Sequence, residues 1–275
     1  MRRFKQLDVF TSRPFLGNPV AVVLDSEGLE TSDMQRIARW TNLSETTFLL
    51  RPSKTADYRV RIFTPRHELP FAGHPTIGSA YAAIRAGIVM PRDGELTQEC
   101  GAGLLELRVE GSKISVRSPQ PKITEVKNVA SAFGVPLAPP AKLLKVDVGP
   151  VWLVGEMTDA TALAALKPDM SALAEWTTSL GATGITVFAP SEDPACAVDV
   201  RSFAPAGGIT EDPVCGSGNI SVAAYLRHFD RAPSAYTARQ GMQLGRDGRV
   251  YMRVDFQTIW LGGEAVACVE GMLAA

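Results

Sequence analysis

The sequence predicts an α+β protein made of two tandem, pseudo-symmetric domains, each a curled, mostly antiparallel sheet wrapped around one buried central helix. Two observations lead to this prediction. The chain has 275 residues, of which 45% are hydrophobic, enough for two cores of ordinary domain size. Three blocks of sequence also occur twice, in the same order and at nearly constant spacing, which indicates an internal repeat.

The repeat is read from three pairs of segments. They are ELPFAGHPTIGSA at 68–80 with EDPVCGSGNISVA at 211–223, IFTP at 62–65 with SFAP at 202–205, and DMQRIARWT at 33–41 with DMSALAEWT at 169–177. A single match of this kind arises easily by chance, but three in series do not. Small loop insertions explain the slight drift in spacing between the copies.

The repeat also predicts the domain boundaries. We expect one domain over 1–118, completed by about 264–275, and the other over 119–263. The proline-rich PQPKI at 119–123 is expected to be the crossover between them. The tail GGEAVACVEGMLAA is expected to return to the sheet of the first domain.

Each copy predicts the same order of elements. A strand comes first (AVVL or WLVG), followed by an amphipathic helix over the DM block and a second strand (YRVRIFT or AVDVRSF). A turn rich in Gly and Pro then leads into a segment that is apolar on nearly every side, PTIGSAYAAIRAG or GNISVAAYLRHF. Such a helix has to be enclosed by the fold. Hairpins with Gly turns are expected in LLELRVEGSKISVRS and MQLGRDGRVYMRV.

Composition and charge argue against several classes of partner. Lys and Arg number 28 against 29 for Asp and Glu, so no net field attracts nucleic acid or an anionic membrane. The start MRRFKQLDVF is followed by no apolar signal segment, and no apolar run is long enough to span a bilayer. We therefore expect a cytoplasmic protein with no nucleic-acid or membrane partner.

The motifs that hold metals and nucleotides are missing from the sequence. The four cysteines are far apart, form no CxxC pair and have only three histidines for company, which argues against a zinc site or a disulfide framework. There is no Walker motif, no GxGxxG between a strand and a helix, and HELPF lacks the second histidine of HExxH. We expect neither a metal nor a cofactor.

Both Gly turns open a buried helix, and this placement indicates an anion site. The first turn of a helix leaves backbone N–H groups without partners and carries partial positive charge. Two such ends facing one cleft would hold the carboxylate of a small substrate. The simpler interpretation, that the glycines only permit tight turns, is weakened because the turn occurs twice.

The polar residues differ between the two copies. His74 stands where the second copy has Ser217, Asp212 stands where the first has a leucine, and Cys215 stands where the first has an alanine. The two copies are therefore expected to share a backbone but to differ in the polar side chains at the same positions.

Glu45, in NLSETTFLL, adds to this asymmetry. It aligns with Gly181 or Ala182, depending on one gap, so only the first domain offers a carboxylate there. Between Leu43 and Phe48, the acid is expected to be partly desolvated, with a raised pKa that suits proton transfer. The alternative is a carboxylate that only caps or pairs.

Together, GNPVAVV, SETTFL, RIFTPRHELPFAGHPTIG, EDPVCGSGN, QGMQLGRDG and LGGEAV resemble the phenazine-biosynthesis PhzF family, within the diaminopimelate-epimerase-like fold. The resemblance spans nearly the whole chain. It implies a cofactor-free isomerase, usually a homodimer, with its active site between two similar domains. The expected substrate is a small carboxylate such as dihydro-hydroxyanthranilate.

The resemblance also implies roles for individual residues. Glu45 matches the acid/base carboxylate, which moves a proton between two carbons on one face, and His74, Asp212 and Ser217 match the residues around the substrate and its carboxylate. The motifs place five further residues against the substrate: Asn18, Gly73, Cys215, Gly216 and Gly218.

Three alternatives remain open at this point. Related racemases use two cysteines, one at the head of each buried helix, whereas this chain has Ala72 and Cys215 there. An amino-acid epimerase or hydroxyproline-type dehydratase would depend on Cys215, activated by its helix N-terminus. A cysteine hydrolase would need a base that the sequence does not assign, and a non-catalytic binding protein gives no reason for the polar residues.

Overall fold

The computed structural model describes four stretches of the chain: 1–53, 55–126, 137–139 and 142–275. Residues 1–117 and 262–275 form one compact unit, and residues 118–261 form a second. The chain therefore leaves the first unit once and returns to it with its last residues.

Helices and strands follow one another in a repeated pattern. In chain order they are β1 (Arg2–Val9), β2 (Asn18–Val23), α1 (Thr31–Thr41), β3 (Thr46–Leu50), β4 (Tyr58–Phe63), β5 (Glu68–Leu69), α2 (Gly73–Arg85), β6 (Glu95–Cys100), β7 (Gly103–Glu110), β8 (Lys113–Arg117), β9 (Lys122–Glu125), β10 (Leu143–Asp147), β11 (Val151–Glu156), α3 (Ala160–Ala165), α4 (Met170–Ser179), β12 (Gly184–Pro190), β13 (Val198–Ala204), β14 (Ile209–Asp212), α5 (Gly216–His228), β15 (Ala235–Gln240), β16 (Gly248–Val254), β17 (Ile259–Gly263) and β18 (Ala265–Leu273).

The sheet of the first unit is mostly antiparallel. β1 lies between β18 and β2 and is antiparallel to both. β2 and β3 are parallel, β3 and β4 antiparallel, and β4 also pairs with β5. β6 runs parallel to β4 and continues into the antiparallel β7 and β8. The tail of the chain thus supplies β18 to this sheet.

The second unit repeats the same order of pairings. β10 lies antiparallel to β9 and to β11, β11 is parallel to β12, and β12 is antiparallel to β13. β13 pairs with β14 and runs parallel to β15, which is antiparallel to β16. The predicted α+β fold class, with mostly antiparallel strands around one buried helix in each unit, is confirmed.

One helix is enclosed by each sheet. α2 packs against β1, β2, β3 and β8, and α5 packs against β10, β11, β12 and β16. Each has ten buried residues, which is why both segments read as apolar on every side. At Gly78 of α2, a Cβ atom would lie 2.6 Å from a methyl of Val20, so the helix approaches β2 too closely for a larger residue.

The amphipathic helices cover the sheets from outside. α1 starts with a capping box between Glu30 and Asp33, and α4 starts with Asp169, whose carboxylate accepts from two N–H groups of the first turn. The short α3 was not predicted. No helix in the described stretches is long and apolar enough to cross a membrane.

Two sequence-based expectations about elements are wrong in detail. The segment MQLGRDGRVYMRV is not a hairpin by itself: 242–244 form a 3₁₀ turn, and β16 pairs with β15. The cause is the positive φ of Gly241 and Gly245, 101° and 69°, which bends the chain out of a strand. The crossover PQPKI is also partly a strand, because β9 begins at Lys122 and pairs with β10.

Candidate active site

Two of the predicted catalytic residues meet in the first unit. Glu45 directly precedes β3, and His74 is the second residue of α2. Oε2 of Glu45 lies 3.3 Å from Nε2 of His74, with only 13% and 7% of the two side chains exposed. The fold therefore places a carboxyl group against an imidazole at the start of the buried helix.

Buried hydroxyl and amide groups hold β3 and α2 in this arrangement. Oγ of Ser79 on α2 donates to Oγ1 of Thr47 on β3 at 2.9 Å, and Thr47 donates to the carbonyl of Ala21. Near the start of the same helix, Nε2 of Gln98 donates to Oγ1 of Thr76 at 3.2 Å. The Ser79 bond connects the helix that carries His74 to the strand that follows Glu45, and the Gln98 bond connects that helix to β6.

The protonation of Glu45 is set mainly by its burial. Burial disfavours the carboxylate and raises the pKa of Glu45 from 4.5 to about 7, while the neighbouring Ser44 hydroxyl acts in the opposite direction. Oε2 of Glu45 accepts no hydrogen bond from the residues that the structure describes. A carboxyl group that titrates near neutrality can both take up and release a proton.

Two predicted binding residues also lie in the first unit. Asn18 begins β2, and its side chain is buried. Gly73 is the first residue of α2, whose N-cap, Ala72, has an extended backbone and no side-chain bond to the helix. The N–H groups of this first turn are therefore not satisfied by a capping side chain.

The start of α5 carries the polar residues of the second copy. Cys215 is the N-cap, Gly216 is the first helical residue, and Sγ of Cys215 accepts from the N–H of Gly218 at 3.3 Å. Oγ of Ser217 lies 3.6 Å from Sγ of Cys215 and accepts a hydrogen bond of 2.9 Å from the indole of Trp152. The sequence did not predict this role of Trp152, because Trp152 lies on β11, 65 positions before Ser217 in the chain.

The thiol of Cys215 is not activated. Burial raises its pKa well above 9, and the nearby Asp212 raises it further, while the bonds from Ser217 and Gly218 act in the opposite direction but are weaker. The thiol is therefore protonated at neutral pH, although it caps a helix. The raised pKa argues against a thiolate at this helix N-terminus.

Gln240 on β15 fixes the turn before α5. Its Oε1 accepts from the N–H of Cys215 at 3.1 Å and from Nδ2 of Asn219 at 2.9 Å, while its Nε2 donates to the carbonyl of Asp212 at 3.1 Å. The carboxylate of Asp212 accepts from the N–H of Val214. Gln240 stands in the quoted QGMQLGRDG motif and Asn219 in EDPVCGSGN, but neither was singled out from the sequence.

An arginine–glutamate pair anchors the turn in both copies. Arg61 donates to Glu68 at 2.7 and 2.6 Å, and Arg201 donates to Glu211 at 2.9 and 2.8 Å. Each pair ties β4 to β5, or β13 to β14, just before the buried helix begins. The glutamates were matched by the repeat, but the arginines were not recognised as their partners.

Strand register corrects the expected equivalent of Glu45. The residue after Glu45 lies opposite the phenylalanine of IFTP, and Ile185 lies opposite the phenylalanine of SFAP. Because those two phenylalanines match in the repeat, Glu45 corresponds to Gly184. The alignment to Gly181 or Ala182 was wrong because gaps in a loop are not visible from one sequence.

The second copy has no room for a side chain at Gly184. A Cβ atom there would lie 2.1 Å from the carbonyl oxygen of Phe203 and 2.9 Å from Cζ3 of Trp152. A second carboxylate therefore cannot stand at the position that corresponds to Glu45. Among the residues that the structure describes, no group of three or more His, Cys, Asp or Glu is arranged to hold a metal ion.

Comparison with known proteins gives matches over nearly the whole length. The family model described as "Phenazine biosynthesis-like protein" (PhzC-PhzF) matches residues 7–271. The chain is 40% identical to Antisense-enhancing sequence 1 of Schizosaccharomyces pombe, over 98% of this chain and 97% of that protein. It is 34% identical to the trans-2,3-dihydro-3-hydroxyanthranilate isomerase of Pseudomonas aeruginosa, over 98% of this chain and 95% of that enzyme.

A solved structure gives the same match. The phenazine biosynthesis protein of the PhzF family from Bacillus anthracis aligns with a TM-score of 0.88 at 26% identity, covering 100% of this chain and 99% of that one. The resemblance read from the motifs is confirmed.

Proposed function

Because the chain belongs to the phenazine biosynthesis-like protein family and is an isomerase, we propose that it moves a proton and a double bond within a small carboxylate, with Glu45 as general acid and base. One observation carries this proposal. The buried carboxyl of Glu45 has its pKa raised to about 7 and lies 3.3 Å from His74.

The substrate class is proposed from the relative in P. aeruginosa. That enzyme is named for trans-2,3-dihydro-3-hydroxyanthranilate, a cyclic diene carboxylic acid with an amine and a hydroxyl on its two saturated ring carbons, and it is 34% identical to this chain. The S. pombe relative at 40% identity has a name that states no reaction. We therefore place the substrate in the class of cyclic, unsaturated carboxylates.

The proposed reaction rearranges bonds without changing composition. The carboxylate of Glu45 removes a proton from a carbon beside the conjugated double bonds, the double bonds shift, and the same carboxyl group returns the proton to another carbon on that face. The resulting enol becomes a ketone by tautomerisation. One group suffices for both transfers, since its pKa leaves both forms populated at neutral pH, and such catalysis contributes roughly 10² to 10⁴ in rate. This chemistry needs no cofactor.

The remaining residues are assigned to binding. His74 contacts the carboxyl of Glu45 and is proposed to keep it oriented and to relay protons. Asp212 is proposed to orient the amine or hydroxyl of the substrate. Ser217 and the first-turn N–H groups at Gly73 and Gly216 are proposed to take its carboxylate. Support comes from the uncapped first turn of α2 and from the partly exposed Ser217 at the start of α5.

Cys215 is proposed to bind the substrate and has no acid or base role. A two-base epimerase needs a proton acceptor on one face of the substrate and a donor on the other. Burial keeps the thiol of Cys215 protonated, so it does not supply the acceptor, and Ala72 stands where the related racemases have their second cysteine. The missing second thiol counts against the Cys215-dependent epimerase or dehydratase.

The experiment that tests the proposal is a comparison of Glu45→Gln with the wild type on trans-2,3-dihydro-3-hydroxyanthranilate. Product is followed by mass spectrometry and absorbance. We expect the variant to lose at least about a hundredfold in kcat while remaining folded. The exposed Glu175 of α4 offers a matched control, and Glu175→Gln should keep full activity. Full activity in Glu45→Gln would overturn the assignment of the acid/base.

The proposal includes a homodimer, as the family resemblance implies, and action in the cytoplasm. Light scattering on the purified protein is expected to give twice the mass of one chain. A single-chain mass at micromolar concentration would contradict it.

A further inference from the structure

The indole of Trp152 determines the direction in which the hydroxyl of Ser217 can donate its hydrogen bond. Nε1 of Trp152 lies 2.9 Å from Oγ of Ser217, and Trp152 is only 3% exposed. An indole N–H can only donate, whereas a serine hydroxyl has one proton and two lone pairs. The indole therefore occupies a lone pair of Ser217 and leaves its proton to be donated elsewhere.

The contact that the structure shows for that proton is weak, and the nearby carboxylate of Asp212 accepts from the N–H of Val214. The contact from Ser217 to Sγ of Cys215 is 3.6 Å long, and the protonated thiol is a weak acceptor. Ser217 is also partly exposed, whereas Gly216 and Gly218 on either side are buried. A carboxylate oxygen arriving at the start of α5 would be a better acceptor than the sulfur, because hydrogen bonds to charged acceptors are stronger.

The corresponding positions in the first unit carry different side chains. By strand register, Val20 in the first unit corresponds to Trp152, and Glu45 corresponds to Gly184. Atom Cζ3 of Trp152 fills space that a side chain at Gly184 would need. Where one copy has an acid against His74, the other has an indole N–H against Ser217.

We propose that Trp152 is a positioning residue that fixes Ser217 as a hydrogen-bond donor to the substrate carboxylate, so that the second copy serves anion binding and the first serves proton transfer. This rests on the proposed function, because it deepens the role assigned there to Ser217. It adds Trp152, which acts on the substrate through Ser217 and not by direct contact.

The test measures binding of two stable probes by calorimetry. One is 3-hydroxyanthranilate, whose aromatic ring blocks the reaction, and the other is 2-aminophenol, which has the same amine and hydroxyl but lacks the carboxylate. The variants are Trp152→Phe, Ser217→Ala and the double variant. Trp176→Phe is the matched control. It makes the same substitution in a tryptophan that packs against the hydrophobic core that contains Ile185 and Val187 of β12.

The expected result separates positioning from packing. Trp152→Phe should weaken binding of 3-hydroxyanthranilate about tenfold and leave that of 2-aminophenol within about twofold. Ser217→Ala should have a similar effect, and the double variant should be no weaker than Ser217→Ala alone, because Trp152 acts through Ser217. Trp176→Phe should bind both probes like the wild type.

A second variant covers the case in which Trp152→Phe does not fold. Incorporation of 3-benzothienylalanine at position 152 replaces the N–H by sulfur and keeps the bicyclic shape, so it should reproduce the tenfold loss with an unchanged melting temperature. If this variant bound 3-hydroxyanthranilate with wild-type affinity, the role of Trp152 would be overturned, while the proposed function would stand. Equal losses for both probes would also overturn it, in favour of packing. Failure of the wild type to bind 3-hydroxyanthranilate would contradict the proposed substrate class, and the inference with it.

Discussion

At the scale of single residues, the protein uses one scaffold twice with different side chains. Glu45 and His74 meet in one unit, and Trp152 and Ser217 meet in the other. The decisive difference is Gly184, where crowding by Phe203 and Trp152 forbids any side chain. The chemical asymmetry seen in the sequence is therefore reinforced by packing.

The raised pKa of Glu45 predicts an effect on stability with a definite sign. Because the pKa is about 7 in the folded protein and 4.5 ordinarily, the folded state favours the neutral acid, and ionisation above pH 7 costs about 3 kcal/mol of unfolding free energy. Glu45→Gln removes this cost. We expect the variant to be more stable than the wild type at pH 8, by up to about 3 kcal/mol, with a difference that shrinks as pH falls towards 5. Urea unfolding at several pH values measures it, and a difference independent of pH would contradict the raised pKa.

At the scale of elements, the turn before each buried helix is held by an arginine–glutamate pair. The two pairs have similar geometry but different burial: Arg201 and Glu211 are 6% and 10% exposed, whereas Arg61 and Glu68 are 19% and 38% exposed. Arg201 also donates to the carbonyls of Leu163 and Leu166 around the end of α3. The second pair is thus part of a larger buried network.

This difference predicts unequal costs for the same substitution. Arg201→Met leaves the buried Glu211 without its partner and should lower the unfolding free energy by about 3 to 5 kcal/mol. Arg61→Met should cost about 1 kcal/mol or less, since its partner is more exposed to water. Urea unfolding of both variants provides the comparison. Equal costs would show that burial does not set the strength of these pairs.

The elements also show what one sequence can and cannot predict. Repeated blocks and apolar periodicity were enough for the buried helices, the amphipathic helices and the strands around them, because these patterns are local. The partnership of Trp152 with Ser217 and of Gln240 with Cys215 was not predictable, since sheet register brings those residues together across 65 and 25 positions. The expected hairpin at 242–254 failed because two glycines with positive φ make a turn there.

At the scale of the whole molecule, the last strand of the chain belongs to the first sheet. β18 pairs with β1 along its length, and Lys5 and Glu270 form an ion pair of 2.5 Å across the two strands. In the second unit, β9 has the corresponding place beside β10. Each sheet is therefore completed by a strand that follows the other copy of the repeat in sequence.

This connectivity predicts that the tail is essential to the first unit. A chain ending at Glu264 lacks β18 and exposes the backbone groups of β1, an unpaired edge that favours association. We expect this truncation to aggregate or to lose cooperative unfolding, as seen by light scattering and circular dichroism. Removing only Ala274 and Ala275, which follow β18, should change neither. A soluble, cooperatively folded truncation at Glu264 would contradict the structural role of β18.

The central claim, a single carboxyl group that shuttles a proton on one face, is tested most directly by turnover of trans-2,3-dihydro-3-hydroxyanthranilate in D₂O. NMR of the product locates the deuterium and its face. We expect deuterium at two carbons. The carbon that Glu45 reprotonates should carry it on the face from which the proton left, with part of the original hydrogen retained, and the carbon that is protonated when the enol becomes a ketone should carry deuterium from the solvent. Glu45→Gln should incorporate none. Complete exchange at the first carbon with delivery to the opposite face, or unchanged incorporation by Glu45→Gln, would contradict the shuttle by a single carboxyl group.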